Sequence, residues 1–164
     1  MTSCVLYLSL GSNMGDRRAH LREALERLQT IGRIVLVSSF YETEPVEVTD
    51  QAWFLNCAVA FETIENPGHL MARILHIEQQ MGRGRVRSKG PRTIDIDILL
   101  AGDMVIDTPD LKIPHPAMHH RRFVLEPLGE IAPDVVHPLL KKTIQELLDR
   151  LPPGQTVRRV RAND

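Results

Sequence analysis

In the stretch GPRTIDIDILL, residues 90–100, Ile94, Ile96 and Ile98 alternate with Asp95 and Asp97. A period of two marks a strand with one apolar face, and it sets both carboxylates on the other face, about 7 Å apart along the chain. Aspartate is depleted in strands and like charges repel, so a single water-facing Asp is ordinary while a matched pair is not. A divalent cation resolves the conflict. Hard carboxylate oxygens suit Mg2+, which keeps several waters and takes substrate phosphates as further ligands. Asp95 and Asp97 are therefore the candidate metal ligands and the candidate catalytic centre.

The segment leading into that strand, GRGRVRSKGPR (82–92), holds Arg83, Arg85, Arg87, Lys89 and Arg92 and no acid. The other 15 of the chain's 20 Lys+Arg face 21 Asp+Glu, so the remainder is near −6 while the whole chain is −1. Positive charge is thus concentrated beside the acidic strand. Cations that bridge phosphate oxygens, next to guanidiniums that clamp them, are what a polyphosphate needs. Most charge runs are solvated loops, and it is the adjoining Asp pair that distinguishes this one. The common phosphate motifs are missing. There is no G-x-x-x-x-G-K-[ST], Gly82 and Gly84 follow a helical stretch instead of opening one, and kinase signatures are absent. Gly11-Ser12 lies far upstream of Asp95, against a nucleotidyltransferase pattern.

Further candidates are weaker on their own. His115 stands between prolines in PHP, with Arg121 six residues on. Glu78 falls near the C-terminal end of a helical stretch, where the macrodipole disfavours an acid. In WFLNCAVAFET (53–63) one face carries Trp53, Leu55, Cys57, Val59 and Phe61, which reads as core. The other carries Phe54, Asn56, Ala58 and Ala60: one ring and one amide, enough to stack and hydrogen-bond a flat heterocycle, or equally a sheet face under a loop. His69, His76, His119, His120 and His137 show no zinc-like spacing.

These residues need a frame. Residues 3–10 read as a strand, GSNMGD breaks it, and a helix follows from Asp16 with Leu21, Ala24, Leu25, Leu28 and Ile31 as its stripe. Residues 33–42 and 53–63 read as strands. Asn66 and Pro67 start a second helix with the stripe Leu70, Ile74, Ile77 and Met81, and Gly82 ends it. After the TIDIDILL strand, AGDMVIDT reads as a turn and a short partner strand. Helical potential around 117–131 and a last helix over 141–151 complete the chain. The order is βαββαβ plus C-terminal additions, which predicts an α+β, ferredoxin-like core: an antiparallel sheet with helices on one face. The 164 residues suit a single domain, 1–164. No basic n-region precedes the first apolar run and no apolar window reaches a membrane span. Cys4 and Cys57 fall in apolar runs, as buried free thiols of a cytoplasmic protein.

Seven segments in one order, LGSN (10–13), SSFYETEP (38–45), FLNCAV (54–59), GRGR (82–85), GPRTIDIDILL (90–100), IPHP (113–116) and RRFVLEPL (121–128), resemble the 6-hydroxymethyl-7,8-dihydropterin pyrophosphokinase family of folate biosynthesis. The resemblance covers the chain to about residue 140. It implies the same ferredoxin-like fold and transfer of pyrophosphate from ATP to a pterin hydroxymethyl group, with AMP released. It assigns Asp95 and Asp97 to two Mg2+ ions that bridge the ATP phosphates, and Arg83, Arg85 and Arg92 to phosphate clamping, Arg83 and Arg92 with catalytic roles. His115 and Arg121 would also face the triphosphate, and Glu78 and Ile98 would lie near the nucleoside. Phe54 and Phe123 would sandwich the pterin, while Asn56 and the backbone around Thr43 would bond its edge. Three positions depart from common family usage: Glu44 where a proline is frequent, Lys89 where a tryptophan is frequent, and Pro116 where an aromatic often follows the histidine.

The expected partners are the small molecules ATP and hydroxymethyldihydropterin, with neither nucleic acid nor membrane, and the protein is expected to be a monomer. The rival reading is a single-stranded RNA-binding module, since such modules share the βαββαβ order. Two carboxylates facing any bound backbone, and aromatic residues at only 4%, stand against it.

Overall fold

The structure is a computed structural model and describes residues 3–44, 52–82 and 93–161. In chain order its main elements are β1 (Cys4–Ser12), α1 (Arg17–Leu28), β2 (Arg33–Val37), β3 (Tyr41–Thr43), β4 (Phe54–Thr63), α2 (Pro67–Gln80), β5 (Asp95–Ala101), β6 (Ile106–Asp107), β7 (Lys112–Ile113), α3 (Arg122–Ile131), α4 (Ile144–Asp149) and β8 (Val157–Arg159). The main sheet runs β5-β1-β4-β3-β8, with β2 beside β3 along the same edge of β4. Every pairing is antiparallel. The expected βαββαβ core is present.

Helix starts follow local chemistry. The Asp16 side chain accepts from the Ala19 N–H at 3.1 Å to cap α1. Asn66 accepts from the His69 N–H at 2.9 Å to cap α2, with Pro67 in the first turn, and Gly82 ends the helix at φ 84. Both helices press their stripes on one sheet face, where Leu8, Leu10, Cys57, Val59, Phe61, Ile96 and Ile98 meet Leu21, Leu28, Leu70 and Ile74.

The opposite face is not left to loops. The C-terminal additions cover part of it: α3 and α4 bury Ala58, Leu99 and Leu100 under Val124, Leu125, Leu128, Ile144 and Leu147. A bulge makes this possible. The β1–β5 register slips after Tyr7, so that Tyr7 faces Leu100 and Leu8 faces Ile98, and Leu99 and Leu100 both join the α3 side.

Several expected boundaries move. The 33–42 strand splits, because the Ser38 hydroxyl takes the Ala58 N–H at 2.8 Å in place of a backbone carbonyl. Trp53, read as core, precedes β4 and is 38% exposed. The partner strand after β5 pairs with Lys112–Ile113 and not with β5. The last helix is confined to 144–149 by a capping box between Thr143 and Glu146. Cys57 is buried, Cys4 only partly so, and both are free.

Candidate active site

The register places the residues of interest in rows across the sheet. Asp95 pairs with Gly11, Gly11 with Asn56, and Asn56 with Tyr41. One step along, Asp97 pairs with Ser9 and Ser9 with Ala58. Directly opposed residues project to the same side, so Asp95, Asp97, Asn56, Phe54 and Thr43 all share the α3 face. Two strand spacings separate Asp95 from Asn56, about 10 Å between backbones. The position between them, Gly11, has no side chain.

That gap is required. A Cβ on Gly11 would lie 2.5 Å from Asn56 Nδ2 and 3.5 Å from the Phe54 ring. The Asn56 residue is 3% exposed. Its Oδ1 accepts from the Thr43 hydroxyl at 2.7 Å, and its Nδ2 donates to the Leu10 carbonyl at 3.4 Å. One N–H and one lone pair of the amide remain beyond these bonds. The sequence expectation ends the first strand at residue 10, whereas β1 runs through Gly11 to Ser12. A glycine inside a run of strand residues is itself a signal of close backbone approach.

On the acidic side, Asp95 and Asp97 are both half-buried on β5. Among the described residues no group of three or more His, Cys, Asp or Glu is placed to hold a metal. A pair of carboxylates on one strand face fits a cation that completes its shell with water and phosphate oxygens, as Mg2+ does. His115 docks against this strand, its N–H donating to the Leu99 carbonyl at 2.9 Å. Its Nδ1 accepts from the Ala117 N–H at 3.2 Å, which leaves Nε2 as the protonated nitrogen of the neutral ring. Burial holds the His115 pKa below the ordinary imidazole value, the Arg121 guanidinium adds to this, and the Asp95 carboxylate opposes it. Arg121, at the start of α3, sits 5.6 Å from the centre of the Phe123 ring. Phe123 is half-buried against the α3 cluster and Phe54 half-buried at the start of β4.

Glu78 is 2% exposed, and its Oε2 accepts the Ile96 N–H at 2.8 Å. The acid near the C-terminal end of α2 is thereby explained in part: it satisfies the outer edge of β5. The Ile98 side chain lies in the α1/α2 core, on the face opposite the two aspartates. Pleating turns its backbone groups to the same outer edge as those of Ile96. Arg83, Arg85 and Arg92 lie outside the described residues, as do Arg87 and Lys89.

A family model described as 7,8-dihydro-6-hydroxymethylpterin-pyrophosphokinase (HPPK) matches residues 7–133. The chain is 47% identical over 133 residues to the 2-amino-4-hydroxy-6-hydroxymethyldihydropteridine pyrophosphokinase of Bacillus subtilis, covering 80% of each protein. Its likeness to the enzyme of the same name from Methylorubrum extorquens is 46% over 150 residues, covering 90% of this chain and 94% of that one. It is also 45% identical to the folic acid synthesis protein fol1 of Schizosaccharomyces pombe, of which it spans 20% of the length. In fold it resembles Plasmodium falciparum HPPK-DHPS, with a TM-score of 0.74 and 19% identity over 91% of this chain and 43% of that one. The chain belongs to the 7,8-dihydro-6-hydroxymethylpterin-pyrophosphokinase family.

Proposed function

We propose that the chain transfers the terminal diphosphate of ATP to the hydroxymethyl oxygen of 6-hydroxymethyl-7,8-dihydropterin, releasing AMP, in the biosynthesis of tetrahydrofolate. The observation that carries this, beside the family match, is the row Asp95, Gly11, Asn56. One end offers carboxylates for a metal-bound triphosphate. The other, about 10 Å away by strand spacing, offers a buried amide for a flat heterocycle. Gly11 between them adds no side chain of its own, and the space over it is taken by the Asn56 amide.

In this reading Asp95 and Asp97 hold two Mg2+ ions, which neutralise charge on the ATP phosphates. Arg83, Arg85 and Arg92 clamp those phosphates, His115 donates from Nε2, and Arg121 adds a cation from the start of α3. Glu78 and the backbone edge of β5 at Ile98 lie near the nucleoside. Phe54 and Phe123 enclose the pterin, and the remaining N–H and lone pair of Asn56 match the donor and acceptor of its lactam edge, with the backbone at Thr43 alongside. The pterin oxygen forms its bond to the β-phosphorus as the bond to the AMP oxygen breaks, and the hydroxyl proton is lost. Positioning and charge neutralisation account for most of the rate. The protein acts as a cytoplasmic monomer.

An RNA-binding reading shares only the βαββαβ order and has no support from the family match. The face such modules use carries the aspartate pair and is partly covered by α3 and α4. Incubating the protein with Mg2+, ATP and hydroxymethyldihydropterin should yield AMP and pterin diphosphate in equal amounts. ADP as the nucleotide product, or no turnover, would reject the assignment.

A further inference from the structure

The last strand, β8, lies beyond the 7–133 segment matched by the family model. It nevertheless forms the outer neighbour of β3, pairing Val157 with Thr43, Arg158 with Glu42 and Arg159 with Tyr41. β3 is only three residues long, and without β8 it would be a sheet edge. It carries Thr43, whose hydroxyl fixes the Asn56 amide.

The grip continues past the strand. Glu44 donates its N–H to the Thr156 carbonyl at 3.2 Å and accepts the Thr156 N–H on Oε1 at 2.6 Å. The Gln155 side chain donates to the Glu44 carbonyl at 2.5 Å. Glu42 is held between Arg17, at 2.8 Å, and Arg158. On the other face Arg159 reaches Glu130 at 3.2 Å and the Ser39 hydroxyl at 2.9 Å, and Glu130 accepts from the Tyr41 hydroxyl at 2.6 Å. Residues 41–44 are thus held by the C-terminal segment at each position, by backbone, side chain or both.

We infer that Glu44, Gln155 and Thr156 are positioning residues for pterin binding: they clamp the backbone beyond Thr43 so that its hydroxyl presents Asn56 in the orientation the pterin edge needs. This rests on Asn56 being a pterin contact. None of the three touches the substrate. They act through the geometry of β3, and their effect belongs to pterin affinity, not to phosphoryl chemistry.

The double variant Glu44→Ala/Gln155→Ala in the full chain removes both side-chain bonds and leaves the β3–β8 ladder. Its KM for pterin should rise about 3- to 10-fold, with kcat and the KM for ATP unchanged. Glu44→Gln, which keeps an acceptor oxygen for Thr156, should restore most of the affinity in the presence of Gln155. A lowered Tm with an unaltered pterin KM would overturn the inference, because that is what a merely structural strand would give. If the double variant does not fold, Gln155→Ala alone is read in the same way. Asn56→Ala separates the two layers. An unchanged pterin KM there rejects the pterin contact and this inference together, whereas a raised KM there with no effect of the clamp variants rejects only the clamp.

Discussion

Replacing Gly11 by alanine tests the geometry on which the site depends. The added methyl would sit 2.5 Å from Asn56 Nδ2. Ordinary carbon–nitrogen contact needs about 3.5 Å, so the amide must retreat by about 1 Å. Asn56 cannot do this freely, since Thr43 holds its Oδ1 at 2.7 Å and Leu10 accepts from its Nδ2. Losing one of these bonds while the groups remain buried costs about 1–3 kcal/mol. Should the displaced amide also miss the pterin, the same range corresponds to a roughly 5- to 150-fold weaker pterin affinity. At about 2–4 °C per kcal/mol for a chain of this size, Tm should fall by roughly 2–12 °C. Pterin titration, ATP-analogue titration and a thermal scan give the three readouts, and ATP-analogue binding should be unaffected. The decisive comparison is a double-mutant cycle. In an Asn56→Ala background the clash partner is gone, so Gly11→Ala should cost almost nothing further. Equal costs in the two backgrounds would refute the reasoning.

Asp97→Ala should lower kcat by at least about 100-fold at saturating Mg2+ while the chain stays folded; near-normal turnover would end the metal role. The His115, His119 and His137 pKa values are all held below the imidazole norm, first by burial. As pH falls below about 6.5 the unfolded chain binds protons that the folded chain resists, so stability should decline by at most about 1.4 kcal/mol per pH unit for each histidine. Tm measured from pH 7.5 to 5.5 should fall, and a flat profile would contradict this. Burial pushes the Cys57 thiol up to about 12, so a thiol reagent at pH 8 should modify one cysteine per native chain, Cys4, and both after denaturation.

Much of this molecule is written locally. The alternation of Ile94, Ile96 and Ile98 with Asp95 and Asp97 gave the strand and its two faces, because side-chain direction in a strand depends on nothing beyond parity. Asn66-Pro67 and Gly82 bounded α2, because a cap and a left-handed glycine act within one turn. The polar side of β4, with Phe54 and Asn56, was equally legible.

What parity cannot supply is register. The alignment of Asp95, Gly11 and Asn56 comes from strands far apart in sequence, and only their packed pairing shows that Gly11 leaves room for an amide. The β-bulge that turns both Leu99 and Leu100 toward α3, the Glu78 carboxylate on the Ile96 N–H, and the placing of the Ile98 side chain in the core opposite the aspartates are decided in the same way. So is the docking of Val157–Arg159 on β3, a three-residue strand too short to announce itself and held by partners more than 100 residues away. Sequence alone determined which residues share a face wherever the alternation runs unbroken, as from Ile94 to Ile98. Tertiary structure decided which faces meet, because hydrogen bonding between strands and close packing depend on neighbours that the chain brings together only when folded.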